Sequence, residues 1–273
     1  MSDFIVAPAP WHLKARTWVF AVSSEAGSKD ANNLPAGWAA PWQADALAAG
    51  GEFIGGPAVV MLVQYSDTPV GRYDELGYFP GRWRYADGSI GFRMSIMLVS
   101  SKDSTWNGRR NWNIPKQVAS FKYESLSNGS WSLSVSQISH DHSLSDPLFQ
   151  VTINPISLIS RLPIPFNSRW FGKILSFAQP PLPQGSQPEE IGTEKTDDKL
   201  WAFFKPKMSG WMYLMKVVPE MNRENITIPT GEAKGSRKVV GDGVSFPAVV
   251  PTGLGVYVED MQIELGPAIW KDV

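Results

Sequence analysis

The 273-residue sequence predicts a mainly β fold, α+β by strict count, built as a cone or barrel of antiparallel strands around a central pocket. Three observations predict it. The hydrophobic period is mostly two, turn dipeptides separate the alternating runs, and helical patterns are scarce.

In chain order, the 42–49 stretch reads as one short helix, and Ala58–Tyr65 follows it as an apolar strand. Gly91–Ser100 reads as the next strand, after an Asp87-Gly88 turn. Phe121 and Tyr123 alternate with polar residues. So do Trp131, Leu133 and Val135, so each run shows one apolar face and one wet face. Asn128-Gly129 between them is a strong short-range hairpin signal. Leu148–Asn154 is a further strand, and Pro155–Arg161 a candidate second helix. Residues 180–199 open with Pro-Pro-Leu-Pro and contain no aromatic side chain, which reads as a surface loop or lid. Strands at Gly210–Val218 and Gly255–Leu265, with an Asp242-Gly243 turn between them, complete a single domain over 1–273.

Composition narrows the function. Hydrophobic residues are 43% and charged residues 19%, enough apolar material for a full core. The formal charge is −1, which argues against nucleic acid or an anionic membrane as partner. With no cysteine, thiolate nucleophiles, disulfides and cysteine-ligated metals are excluded. The N-terminus lacks the charged and apolar regions of a signal peptide, and no run approaches the roughly 20 residues of a spanning helix, so a cytoplasmic location is expected. Twelve tryptophans suggest flat apolar walls around a pocket.

His140-Asp141-His142 has the spacing of two metal ligands on one strand face, but only His12 remains as a third histidine, so hairpin polarity is the better reading and no metal is expected. No P-loop, nucleophile elbow or dinucleotide fingerprint is present. The richest segment is 71–122, with nine basic and four acidic residues, a cationic stretch suited to a small anionic ligand. Within it lie Tyr73-Asp74-Glu75 and Gly108-Arg109-Arg110-Asn111-Trp112-Asn113-Ile114-Pro115-Lys116-Gln117.

These two motifs resemble the acetoacetate decarboxylase superfamily. There a Gly-Arg leads after five residues into Pro-Lys, as Gly108-Arg109 leads into Pro115-Lys116, and a Tyr-x-Glu stands about forty residues before, as Tyr73 and Glu75 do. Arg16 resembles an N-terminal arginine of the family. The likeness runs over roughly 10–125, and its tryptophan-rich wording is most similar to members from filamentous fungi. It implies a cofactor-independent enzyme that often forms homo-oligomers and acts on a small carbonyl substrate of β-keto or polyketide type, in natural-product biosynthesis. Lys116 would form a Schiff base and Glu75 would move the proton. Arg109 or Arg110 would bind an anion, and Tyr73, Arg16, Trp112 and Phe79 would line the site.

An attacking amine must be neutral, and a lysine of pKa about 10.4 is charged at neutral pH. Lowering it into the neutral range costs about 4–5 kcal/mol of differential solvation. Activation by desolvation or a nearby cation is an established property of acetoacetate decarboxylase itself, not a deduction from this sequence. Two positions depart from the decarboxylase pattern: Gln117 stands where a second lysine is found, and Arg110 where an acid is found. Decarboxylation, aldol or dehydration chemistry and cyclisation therefore all stay open. One alternative is a non-imine isomerase, dehydratase or pericyclic cyclase that works through a preorganised tryptophan-rich pocket. Another is a non-catalytic carrier of an apolar ligand.

Overall fold

A computed structural model describes residues 4–23, 33–126, 129–138, 144–156, 162–171, 175–185, 192–193, 200–222 and 238–272. The strands of the N-terminal half are β1 (Trp11–Ser23), β2 (Glu52–Gly55), β3 (Ala58–Asp67), β4 (Tyr73–Phe79), β5 (Arg82–Arg84), β6 (Ile90–Phe92), β7 (Ile96–Val99), β8 (Lys116–Val118) and β9 (Ser120–Ser125). There follow β10 (Trp131–Ser136), β11 (Phe149–Pro155), β12 (Ile164–Asn167), β13 (Phe177–Gln179), β14 (Trp201–Phe204) and β15 (Lys207–Pro219). The last are β16 (Met221–Asn222), β17 (Lys238–Val239), β18 (Val250–Leu265) and β19 (Ile269–Lys271). Two α-helices are described, α1 (Pro41–Ala48) and α2 (Lys102–Trp112).

The fold is mainly β, and the main sheet is a nearly closed, barrel-like array. Its order is β8-β7-β4-β3-β1-β18-β15-β11-β10-β9, with β12 on β15. A second sheet runs β19-β14-β13-β6-β5-β2. Among the described residues of the main sheet only β7 and β8 pair in parallel; every other pairing there is antiparallel. That exception has a cause: parallel neighbours need a crossover, and α2 supplies it.

Period-two alternation gives the main sheet two buried faces. Trp18, Leu62, Leu76 and Leu98 join Leu133, Val135 and Val151 in one cluster, which links both ends of the strand order and fills the space the sheet encloses. Val63, Tyr73, Phe79, Met97 and Val99 project the other way and pack with Phe177 and Phe204 of the second sheet. Strand β7 is buried at every position, so it reads as a continuous apolar run.

Most of the expected strands are present with boundaries moved by a few residues. Gly91–Ser100 is not one strand: it divides into β6 and β7, in different sheets. Arg93 falls at the break, where its guanidinium donates to the carbonyls of Leu47, Ala49 and Gly50 at the end of α1 and lies 4.0 Å from the Trp83 ring centroid. Helix α2 has no counterpart in the hydrophobic pattern. Its buried residues are Ser104, Thr105, Asn107, Gly108, Arg109 and Trp112, so its inner face is mostly polar. Residues 157–161 of the second expected helix and His140-Asp141-His142 lie outside the described residues. No described helix is long and apolar enough to cross a membrane.

Candidate active site

Helix α2 begins at Ser101, whose hydroxyl accepts from the Ser104 N–H at 3.2 Å. It ends at Asn113 in the left-handed region at φ 50°, with the Asn113 N–H donating to the Arg109 carbonyl at 3.1 Å. The Asn113 side chain donates to the carbonyls of Gln179 and Leu200, tying the turn to the second sheet. Ile114 and Pro115 then lead the chain back beside β7, and Lys116 opens β8. Gly108 makes room for it. A Cβ on Gly108 would stand 2.6 Å from Lys116 Cδ and 2.9 Å from Cε, so the lysine's methylene arm lies against bare helix backbone.

Glu75 comes from the middle of β4. Its Oε2 lies 2.8 Å from Lys116 Nζ, and the two side chains are only 4 and 5% exposed. Nζ also donates to Ser104 Oγ at 2.8 Å and Tyr73 Oη at 3.3 Å. Tyr65 Oη donates to Glu75 Oε1 at 3.1 Å, and the Tyr65 and Tyr73 rings are 4.5 Å apart. Burial pushes the Lys116 pKa down, but Glu75 and then Tyr73 outweigh it and hold the ammonium above its ordinary value. Burial raises both tyrosines, Tyr65 further because Glu75 faces it and Tyr73 less because Lys116 does. The resting site is therefore a nearly dry pairing of the Lys116 ammonium with Glu75, flanked by two neutral phenols and a serine. Lys116 is not a free amine at rest, contrary to what the sequence requires of a nucleophile.

Beyond the pair, on the same face of the sheet, lies an apolar cavity of about 380 Å³. Phe79, Met61, Val19 and Val256 of the main sheet line it, with Phe92 and Phe177 of the second. The central pocket thus lies between the two sheets rather than in the space that the main sheet encloses.

No protein-family model matches the chain, and no curated protein matches it either. Solved structures do match. An acetoacetate decarboxylase-like enzyme from Sphingomonas wittichii RW1 superposes with TM-score 0.60 at 11% identity, over 98% of this chain and 94% of its own. Acetoacetate decarboxylase from Legionella pneumophila gives 0.57 at 11% identity, covering 97% and 88%. The enduracididine biosynthesis enzyme MppR, with HEPES buffer bound, gives 0.52 at 10%, covering 97% and 88%. The chain has the acetoacetate decarboxylase-like fold.

Within that fold, Glu75, Lys116 and Tyr73 come together, and Phe79 lines the adjoining cavity. The other expected site residues do not join them. Arg109 is fully buried on another side of α2, where it donates to Gln43 Oε1 at 3.2 Å and to the Pro183 carbonyl and lies 5.2 Å from the Trp42 ring. Arg110 covers the Trp106 ring at 4.0 Å. Arg16 shares a cross-strand row with Gln64 and Asp74, which point away from the Glu75 face, and its Nη2 is 3.9 Å from Glu259. Trp112 donates its indole N–H to the Gly266 carbonyl and meets Trp11 edge-on, which makes it packing behind the site. The basic segment is likewise no single patch: Arg84 pairs with Glu52, Lys122 with Glu124, and Arg93 caps α1.

Position 117 also reads differently in three dimensions. Gln117 pairs with Leu98 while Lys116 pairs with Met97, so consecutive side chains face opposite ways. A lysine at 117 would not face Nζ. The described parts of 180–199 pack on α2: Pro183 through Arg109, and Gly192 so closely that a Cβ on it would stand 3.0–3.2 Å from atoms of Lys102, Thr105 and Trp106. Sequence reasoning missed Ser104, Tyr65 and Met97. Tyr65 was within reach, because pairing the two strands across the 68–72 turn sets it opposite Tyr73. Ser104 carried no signal, since helix α2 lacks apolar periodicity.

Proposed function

We propose that the chain is an enzyme of the acetoacetate decarboxylase-like superfamily, from the fungal branch its motif resembles, acting without a cofactor on a β-keto or polyketide-type carbonyl compound through an imine on Lys116. The observation that carries this is the Lys116–Glu75 pair, buried at 2.8 Å beside an apolar cavity. When a ketone enters, Nζ passes a proton to Glu75 Oε2, the neutral amine attacks the carbonyl carbon, and a second proton moves from nitrogen to the carbonyl oxygen to give the carbinolamine. Glu75 returns its proton to the carbinolamine hydroxyl, which leaves as water, and the iminium keeps the positive charge that the ammonium held. That cation is the electron sink for decarboxylation, aldol cleavage or dehydration. Tyr73, held neutral by burial, supplies a hydroxyl at the same nitrogen.

Borohydride reduction in the presence of β-keto acids and diketones, followed by peptide mapping, tests this. A reduced adduct on Lys116 is expected. Turnover with no adduct on any lysine overturns it. The raised pKa of Lys116 favours the second reading in that case, in which the ammonium stays intact and stabilises a developing enolate by charge and hydrogen bonding.

A further inference from the structure

The cavity and the lysine are joined by one cross-strand row. Val256 pairs with Val19, Val19 with Met61, Met61 with Gly77, Gly77 with Met97, and Met97 with Lys116. Directly paired residues point to the same face, so the row runs from Val256 in the cavity lining to the Lys116 nitrogen. Its first three members line the cavity. Gly77, with no side chain, leaves a gap in the row where every other position carries one. The gap is filled from both sides: Met97 Cε and Phe79 Cε2 stand 3.2 Å, and Met97 Sδ 3.3 Å, from where a Gly77 Cβ would be. Met97 therefore closes the passage, and an unbranched thioether moves aside more readily than a branched or aromatic side chain.

The cavity wall suits a chain rather than a polar headgroup. Its described lining is Val, Leu, Phe and Met apart from Thr17, and Met61, Met208, Met212 and Met261 give it adaptable sides. Its volume falls in the range of ligand pockets, about 300–1,000 Å³.

We propose that the cavity holds the hydrocarbon chain of a carbonyl substrate, and that Met97 is the gate through which the carbonyl end reaches Lys116. The inference relies on the Lys116 reading only for which end of the ligand reacts. The substrate class is then a ketone or β-keto acid carrying an unbranched alkyl or aryl tail, laid along the Val256–Lys116 row.

The test uses methyl ketones from 2-butanone to 2-decanone, with binding measured by calorimetry on the wild type and on the Lys116→Met/Glu75→Gln double variant, which forms no imine. Affinity should rise about threefold to fourfold per added methylene in both proteins until the cavity is full. Val256→Phe, which fills cavity space at that end of the row, should stop the rise several methylenes earlier. A flat series in both proteins, or an unaltered series in Val256→Phe, overturns the chain site. A rising series without any borohydride adduct on wild-type Lys116 keeps the chain site and sinks the imine instead. Adducts with short ketones and no dependence on length do the reverse.

Discussion

Replacing Glu75 by glutamine keeps the shape of the side chain and an oxygen for Tyr65, and removes only the negative charge. The ammonium it leaves is 5% exposed, so solvent screens little of the loss. Breaking a buried pair by removing one partner costs about 3–5 kcal/mol. For a chain of this size each kcal/mol moves the midpoint about 2–4 °C, which sets the fall in Tm at pH 7 at about 6–20 °C. The pH dependence between pH 7 and 10 should also change, from flat to rising. In the wild type the folded pKa of Lys116 is raised, so its contribution is whole below the unfolded value of about 10.4 and is lost as pH rises through the folded value. Without Glu75 burial dominates, and the folded pKa drops below the unfolded one. The native state then binds fewer protons than the unfolded chain, and stability climbs with pH until the unfolded lysine is neutral as well. Melting curves from pH 7 to 10 on the wild type, Glu75→Gln, Lys116→Met and the double variant measure this. The double variant, with no charge to bury, should regain most of the loss. A cost under about 1 kcal/mol at pH 7, or parallel pH slopes for wild type and Glu75→Gln, would refute the reasoning.

Two other substitutions separate the site from its scaffold. Gly108→Ala places a methyl 2.6 Å from Lys116 Cδ, and should abolish borohydride trapping while circular dichroism stays native, since alanine is the better helix former. Retained trapping would show that the lysine arm has another place to lie. Arg109→Met should cost about 1–3 kcal/mol in urea unfolding for the Gln43 and Pro183 oxygens it leaves unpaired. It should weaken acidic and neutral ketones equally; a selective loss of carboxylate ligands would restore Arg109 as an anion binder.

Strands β9 and β10 were legible because their alternation follows directly from the pleat, which sends successive side chains to opposite faces, and β3 because it reads as an apolar run. The Lys116 and Glu75 candidates were legible through the resemblance of their two motifs to the acetoacetate decarboxylase superfamily. Helix α2 was not, because its inner face buries serine, asparagine, glycine and arginine, whose partners are supplied by other elements. The split of Gly91–Ser100 was hidden for the same reason: the break exists to let Arg93 reach the end of α1.

What the sequence alone determined is the β class and the absence of cysteine chemistry; its resemblance to a known superfamily nominated Lys116 and Glu75 as candidates. Only the tertiary structure decided which cations stand near that lysine. Arg109, Arg110 and Arg16 are near Lys116 or its motif in sequence or family pattern, yet helix rotation and strand parity aim each of them elsewhere. The tertiary structure also decided the charge state of the lysine. Desolvation acts on an ammonium in one direction and a carboxylate at 2.8 Å in the other, and the balance depends on a distance that no linear spacing encodes.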